Sequence, residues 1–323
     1  MKKIKLISIF IFIATLNIVA QENDSLKTSK VQVTFAYPFG SNGTSSMKYS
    51  NNFSFNVLYG LNGGVDGAEI GSIFNFNKGI VRGFQLSGIS NICLKSTNGL
   101  VISGVLNYSK QNSKGFQLST VNVCDNEFRG LQLGVVNYSK KLKGIQVGLF
   151  NLIDSGDKSL PIGLFSIVKN GYYELELTGG DAINYNLNFK MGVEKFYTIF
   201  KTGYSLFKNN SIYSVGLGFG SNVPISEKQK ISIDLSYNQI VYNNYWDNGK
   251  INILNKADFN YKYSFSNKFS VLIGPSFNIY ITEEKVEGKY GTLNIPNTIY
   301  SNERMNSKLF MWFGINAGLS LKL

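Results

Sequence analysis

GLQLGVVNYSKKLKGIQVGLFNLID, residues 130–154, carries one short phrase twice: Gly130-Leu-Gln-Leu-Gly-Val-Val-Asn137 returns as Gly144-Ile-Gln-Val-Gly-Leu-Phe-Asn151. Each phrase has a two-residue period. Leu131, Leu133 and Val135 share one parity, and Gln132, Gly134 and Val136 share the other. Successive side chains of a strand point to opposite faces, so the phrase reads as a strand with a greasy side and a small-or-amide side.

Working outward, the same phrase appears as GAEIGSIFN (67–75), GFQLSGISN (83–91), GLVISGVLN (99–107) and GFQLSTVN (115–122), and in degenerate form as PIGLFSIV (161–168). Polar linkers such as Ser139-Lys-Lys-Leu-Lys143 separate the copies and read as turns. One unit is therefore a strand of roughly nine or ten residues plus a turn, the length that crosses a bilayer when tilted. Two architectures can use such a unit. In an antiparallel membrane barrel, leucines face lipid while Gln85, Gln117, Gln132 and Gln146 face the lumen. In a β-solenoid, each phrase belongs to one coil and the amides stack in ladders. The repeat alone does not choose between them.

The second half tips the reading toward the barrel. Beyond Gly171 the repeat ends and alternation becomes cleaner. In Lys308–Leu323 the odd positions Leu309, Met311, Phe313, Ile315, Ala317, Leu319, Leu321 and Leu323 are all apolar. Similar alternation runs through 183–191, 231–238 and 269–281, longer than the strands of about five or six residues usual in soluble sandwiches. Short turns such as Ser264–Lys268 and longer loops at 243–250 and 283–306 fit the two rims of an outer-membrane barrel, with Tyr242, Tyr245 and Trp246 at an interfacial belt. On the inward parity stand Glu174, Glu176, Lys190, Asp234, Lys256, Asp258 and Lys262, candidate lumen charges that either tune solute selection or plug a narrow interior. With segments at 31–39 and 51–60, the expected fold is all-β: one antiparallel transmembrane β-barrel of about 16 strands (range 14–18) over residues 31–323.

Met1–Lys5 is basic, residues 6–19 are mostly apolar, and composition turns polar after Ala20. That pattern is a cleaved secretory signal peptide over 1–20, followed by a short polar segment, 21–30. The chain is 43% hydrophobic, 14% aromatic and only 16% charged, with 33 glycines and 5 prolines. The composition suits strands and not disorder. Net charge is +12, which suits anionic headgroups or solutes; nucleic acid is disfavoured because the basic residues are scattered and the chain is exported. Histidine is absent, which removes the commonest general base and metal ligand. Cys93 and Cys124 cannot form a CxxC or thiolate zinc site, and they occupy equivalent repeat positions two copies apart. No catalytic, cofactor-binding or metal-binding residue is expected.

The run FSFNVLYGLNGGVDGAEIGSIFNFN (53–77), the GxQxG..N repeats and PIGLFSIVKNGYYELEL (161–177) together resemble a family of surface-repeat proteins of Bacteroidota, similar in repeat type to spirochaete surface-repeat proteins. The resemblance covers residues 31–323. It implies an outer-membrane location and a β-barrel-like fold, and it transfers no functional residue. Val101 at a glutamine position, and Leu323 where many barrels end on an aromatic residue, depart from the pattern. The expected function is a non-enzymatic outer-membrane barrel acting as a passive channel for small solutes. Its expected partners are outer-membrane lipid and the barrel assembly machinery. The alternatives are a structural or adhesive surface-repeat protein with a plugged lumen, or a β-solenoid surface protein. Under the barrel reading Gln132→Lys is tolerated.

Overall fold

The structure, a computed structural model, describes residues 26–207, 210–242 and 249–323. The expected signal peptide, and Tyr245 and Trp246 of the expected aromatic belt, lie outside the described residues.

The repeat phrases do not enter an antiparallel barrel. They coil. Val81–Ser87 runs up one side of a turn, Gly88-Ile89 bends the chain, and Ser90–Cys93 returns on the other side. Each half pairs in parallel with the same half of the next coil. Val81–Ser87 lies against Thr97–Ser103, and Ser90–Cys93 lies against Leu106–Ser109. From Lys27 to Val168 this gives a parallel β-solenoid of about eight turns. The segments expected at 31–39 and 51–60 are its first coils, since Lys27–Ala36 pairs in parallel with Tyr49–Asn62. Residues 39–48 fold over that end, where Asn42 donates to Gln32 at 2.7 Å.

The physical reason for coiling lies in the glycines and the amides. The opening glycine of each phrase has a positive φ, +144° at Gly99, and kinks the strand. A Cβ there would collide with the Gly83 carbonyl oxygen of the preceding coil, so the backbones approach at a distance that only glycine permits. Parallel in-register stacking also sets Asn75 beside Asn91 and Asn91 beside Asn107, so that each amide can donate to the next.

Residues 172–322 form a separate closed ring of eight antiparallel strands. In chain order these are Tyr172–Gly180, Tyr185–Val193, Phe196–Phe207, Asn210–Pro224, Gln229–Tyr242, Asn252–Ser264, Phe269–Thr282 and Ser307–Lys322. The last strand pairs with the first, Leu319 opposite Leu177, and closes the ring. The expected single barrel of about 16 strands is thus corrected twice over: the ring is half that size, and residues 67–168 form no part of its wall. Alternation in the ring is strict, as in Phe269–Thr282, where every second side chain is buried.

Candidate functional site

Two polar interiors hold all the glutamines and charged residues that the sequence put on the inward parity. The first is the solenoid core. Gln85, Gln117, Gln132 and Gln146 are buried there between the two halves of each coil, not in the lumen of a barrel. Gln146 donates to Gln132 at 2.7 Å, and Gln132 donates to Gln117 at 2.8 Å. A parallel column of asparagines runs in the other direction: Asn75 donates to Asn91, Asn91 to Asn107, Asn107 to Asn122 and Asn122 to Asn137, each at 3.0 Å. Each also donates to backbone of the next coil, as Asn91 does to the Ile102 carbonyl at 2.7 Å. The expected tolerance of Gln132→Lys is therefore overturned, because an ammonium would enter a sealed amide column with no carboxylate beside it.

Glu69 is the residue that the sequence reading passed over. It occupies the glutamine position of the first copy, in register with Gln85, and is fully buried. Asn77 and Gln85 donate to Oε2 at 2.6 and 2.8 Å, while Asn56 at 3.0 Å and Asn62 donate to Oε1. An ionised carboxylate only accepts hydrogen bonds, so it can receive all four amides at once. Burial nevertheless outweighs these donors and pushes its pKa up to about 7. Aligning the copies exposes the substitution, but not that four amides would surround it.

Cys93 and Cys124 are free, buried, and placed on either side of Ser109 in one column. Burial pushes the Cys93 thiol up to about 12.

The second interior belongs to the ring. An eight-stranded ring is just wide enough for side chains to fill it, and here they meet. Lys190 lies 2.7 Å from both Glu176 and Asp234, and Tyr197 donates to Asp234 at 2.6 Å. Lys262 pairs with Glu174, while Lys201 and Lys256 reach Asp258 at 3.4 and 3.3 Å. Cation answers carboxylate throughout, and the ions have side chains at most 8% exposed. Toward the long-loop rim an apolar cluster closes the space: Ile212, Ile240, Leu254, Tyr280 and Trp312, covered by Leu293 of the long loop. Lys201 and Tyr197 escaped the sequence reading because Tyr197 and Ile199 put apolar groups on the inward parity of Phe196–Phe207, which blurs its alternation.

The outsides are the inverse. On the ring, Leu177, Leu217, Phe219, Leu235, Phe259, Ile273 and Phe313 are exposed. On one solenoid face the row Val33, Phe55, Ile70, Leu86, Ile102, Leu118, Leu133, Val147 and Ile162 runs coil to coil in register without a polar residue. Soluble monomers rarely expose apolar patches larger than about 300–600 Å²; this face carries a second such row, Phe84, Leu100, Phe116, Leu131 and Ile145, beside the first. The two units meet on the ring's outer wall. Phe165 stacks on Phe200 with ring centroids 5.6 Å apart, and Thr198 donates to the Gly163 carbonyl at 2.6 Å.

Comparison with known protein families, with curated proteins and with solved structures gives no match. Among the described residues there is no cluster of three side chains that could hold a metal ion.

Proposed function

We propose that this chain is a non-enzymatic, membrane-embedded surface-repeat protein in which the ring is the anchor and the solenoid is the repeat-built body. The carrying observation is the inversion of the ring: apolar residues on its exposed wall, and ion pairs inside it. A closed ring leaves no unpaired edge in hydrocarbon, and lipid-facing apolar residues alternate with inward polar ones in such barrels. The outer membrane is the compartment that suits this architecture, in keeping with the surface-repeat resemblance.

The interior favours a structural role over conduction. Its lysines are engaged by carboxylates, and the apolar cluster under Leu293 obstructs the long-loop end. The test combines fractionation with electrophysiology. Recovery with outer membranes, a folded gel band that shifts on boiling, and silent planar bilayers are the expected results. Recovery as a soluble protein would refute the anchor, and steady single-channel conductance would refute the closed interior.

A further inference from the structure

We propose that the solenoid is itself immersed in lipid, as a fin one leaflet deep lying against the ring, with its bend edge in the acyl chains and its basic edge among anionic phospholipid headgroups. This rests on the membrane reading of the ring. It adds a second lipid-binding surface, on a part of the chain that crosses nothing.

The coil has two unlike edges. At the bends, Ile73, Ile89, Val105, Val135 and Leu149 are exposed and form an apolar rim that only Thr120 interrupts among these coils. At the opposite edge, the residues just before the kinking glycines stack in register: Arg82 beside Asn98, Asn98 beside Lys114, Lys114 beside Arg129, Arg129 beside Lys143. Neighbouring coils are about 4.8 Å apart, so these cations make a ribbon. Asp66 approaches Arg82 at 3.9 Å, and Glu127 pairs with Arg129, Lys141 and Lys143. On the neighbouring turns Lys95, Lys110 and Lys140 are exposed, as are Asp125 and Asp154, and cations outnumber carboxylates along the edge. Between the edges both faces are apolar, since the second half-coils present Leu106, Val121, Val136 and Phe150 in register.

The dimension fits a leaflet. Lys114 to Thr120, edge to bend, is six steps of about 3.3 Å, or roughly 20 Å. Half of a ~30 Å hydrocarbon core plus one headgroup layer is about the same.

The orientation fits as well. Tyr173, near the short-turn rim of the ring, donates to the Val168 carbonyl at 2.9 Å at the base of the last coil. At the bend end of that coil, Phe165 stacks on Phe200, farther up the ring strand from Phe196. Leu164, at the bend itself, borders a groove of about 480 Å³ lined by Leu217, Phe219, Leu235 and Tyr237 on the ring's outer wall. The bend edge therefore points from the short-turn rim toward the middle of the ring's apolar belt, and the solenoid's apolar faces continue that belt.

The experiment places a fluorophore on single introduced cysteines in the full-length chain, the native buried thiols serving as the unlabelled background. Val105→Cys and Leu149→Cys report the bend edge, Lys95→Cys the basic edge, and Leu235→Cys the ring wall. The proteins are reconstituted in phosphatidylethanolamine–phosphatidylglycerol vesicles containing either acyl-chain nitroxide lipids or aqueous iodide. Strong nitroxide quenching at Val105→Cys and Leu149→Cys, matching Leu235→Cys, with iodide reaching only Lys95→Cys, is the expected result. Iodide access at both bend positions, with Leu235→Cys still quenched by lipid, overturns the fin and leaves the membrane ring standing. Iodide access at Leu235→Cys as well overturns both.

Discussion

Gln85 stands in register with Val101, and the glutamine column stops there. Gln117 flanks Val101 on the other side. The Oε1 of Gln85 and the Nε2 of Gln117, the two atoms facing the gap, are buried without partners. A buried unsatisfied polar atom costs about 1–3 kcal/mol, and a hydrogen bond made contributes about 0.5–1.5. Val101→Gln should join the two halves of the column and raise stability by roughly 1–3 kcal/mol. Urea unfolding that shows a lower midpoint for the variant would mean that the site lacks room for the longer side chain.

Glu69 makes the solenoid sensitive to pH in a defined direction. Its folded pKa of about 7 lies above the ordinary carboxyl value of 4.5, so the folded state holds the proton more tightly. Its contribution is fully present below pH 4.5 and is lost as pH rises through about 7. The amount is roughly 3 kcal/mol at about 1.4 kcal/mol per unit. Unfolding midpoints measured from pH 4 to 8 should fall across that window in the wild-type chain, and Glu69→Gln should remove this part of the slope. An identical profile in the two proteins would count against the carboxylate as its source.

Lys190 has two carboxylate partners and no water-facing surface. Removing one member of a buried ion network leaves the others uncompensated, at a cost of about 3–5 kcal/mol. Lys190→Met should lower ring stability by that order, whereas Lys95→Met, on the solvent-facing turn, should change it by less than about 0.5 kcal/mol. Thermal unfolding of the detergent-solubilised chain separates the two.

Gly99 combines a φ of +144° with a carbonyl where its Cβ would sit. Gly99→Ala should destabilise the solenoid by on the order of 2–4 kcal/mol, from backbone strain plus steric displacement. Hydrogen exchange should localise the loss to the neighbouring coils; uniform protection equal to wild type would exclude the close approach as a requirement.

Cys93 is shielded, and its thiol is pushed up to about 12. Thiolate is the reactive form, so the native chain should leave Cys93 unmodified by a disulfide reagent at pH 8 while the denatured chain reacts. Prompt labelling of the folded chain would show that the coils open there.

Sequence alone determined the sidedness of this protein. A two-residue period says which side chains share a face, and the large contrast in transfer free energy between leucine and glutamine says that the two faces meet different surroundings. That much put Gln132 and Gln146 on the polar side of their phrases, though in a barrel lumen that they do not line, and put Glu174, Glu176, Lys190, Asp234, Lys256, Asp258 and Lys262 on the interior parity of their strands. What period cannot convey is the neighbour. A strand beside an antiparallel partner and a half-coil beside its own repeat have the same alternation, so the choice rests on where the chain bends. The bends at Gly88-Ile89 and Gly104-Val105 lie inside a phrase that alternation reads as one straight strand. Only the tertiary structure decided for the coil, because its stability comes from contacts between copies. Amides donate to identical amides one turn away, and glycine backbones close on glycine backbones. Those energies belong to no single phrase, and they exist only once the phrases are stacked.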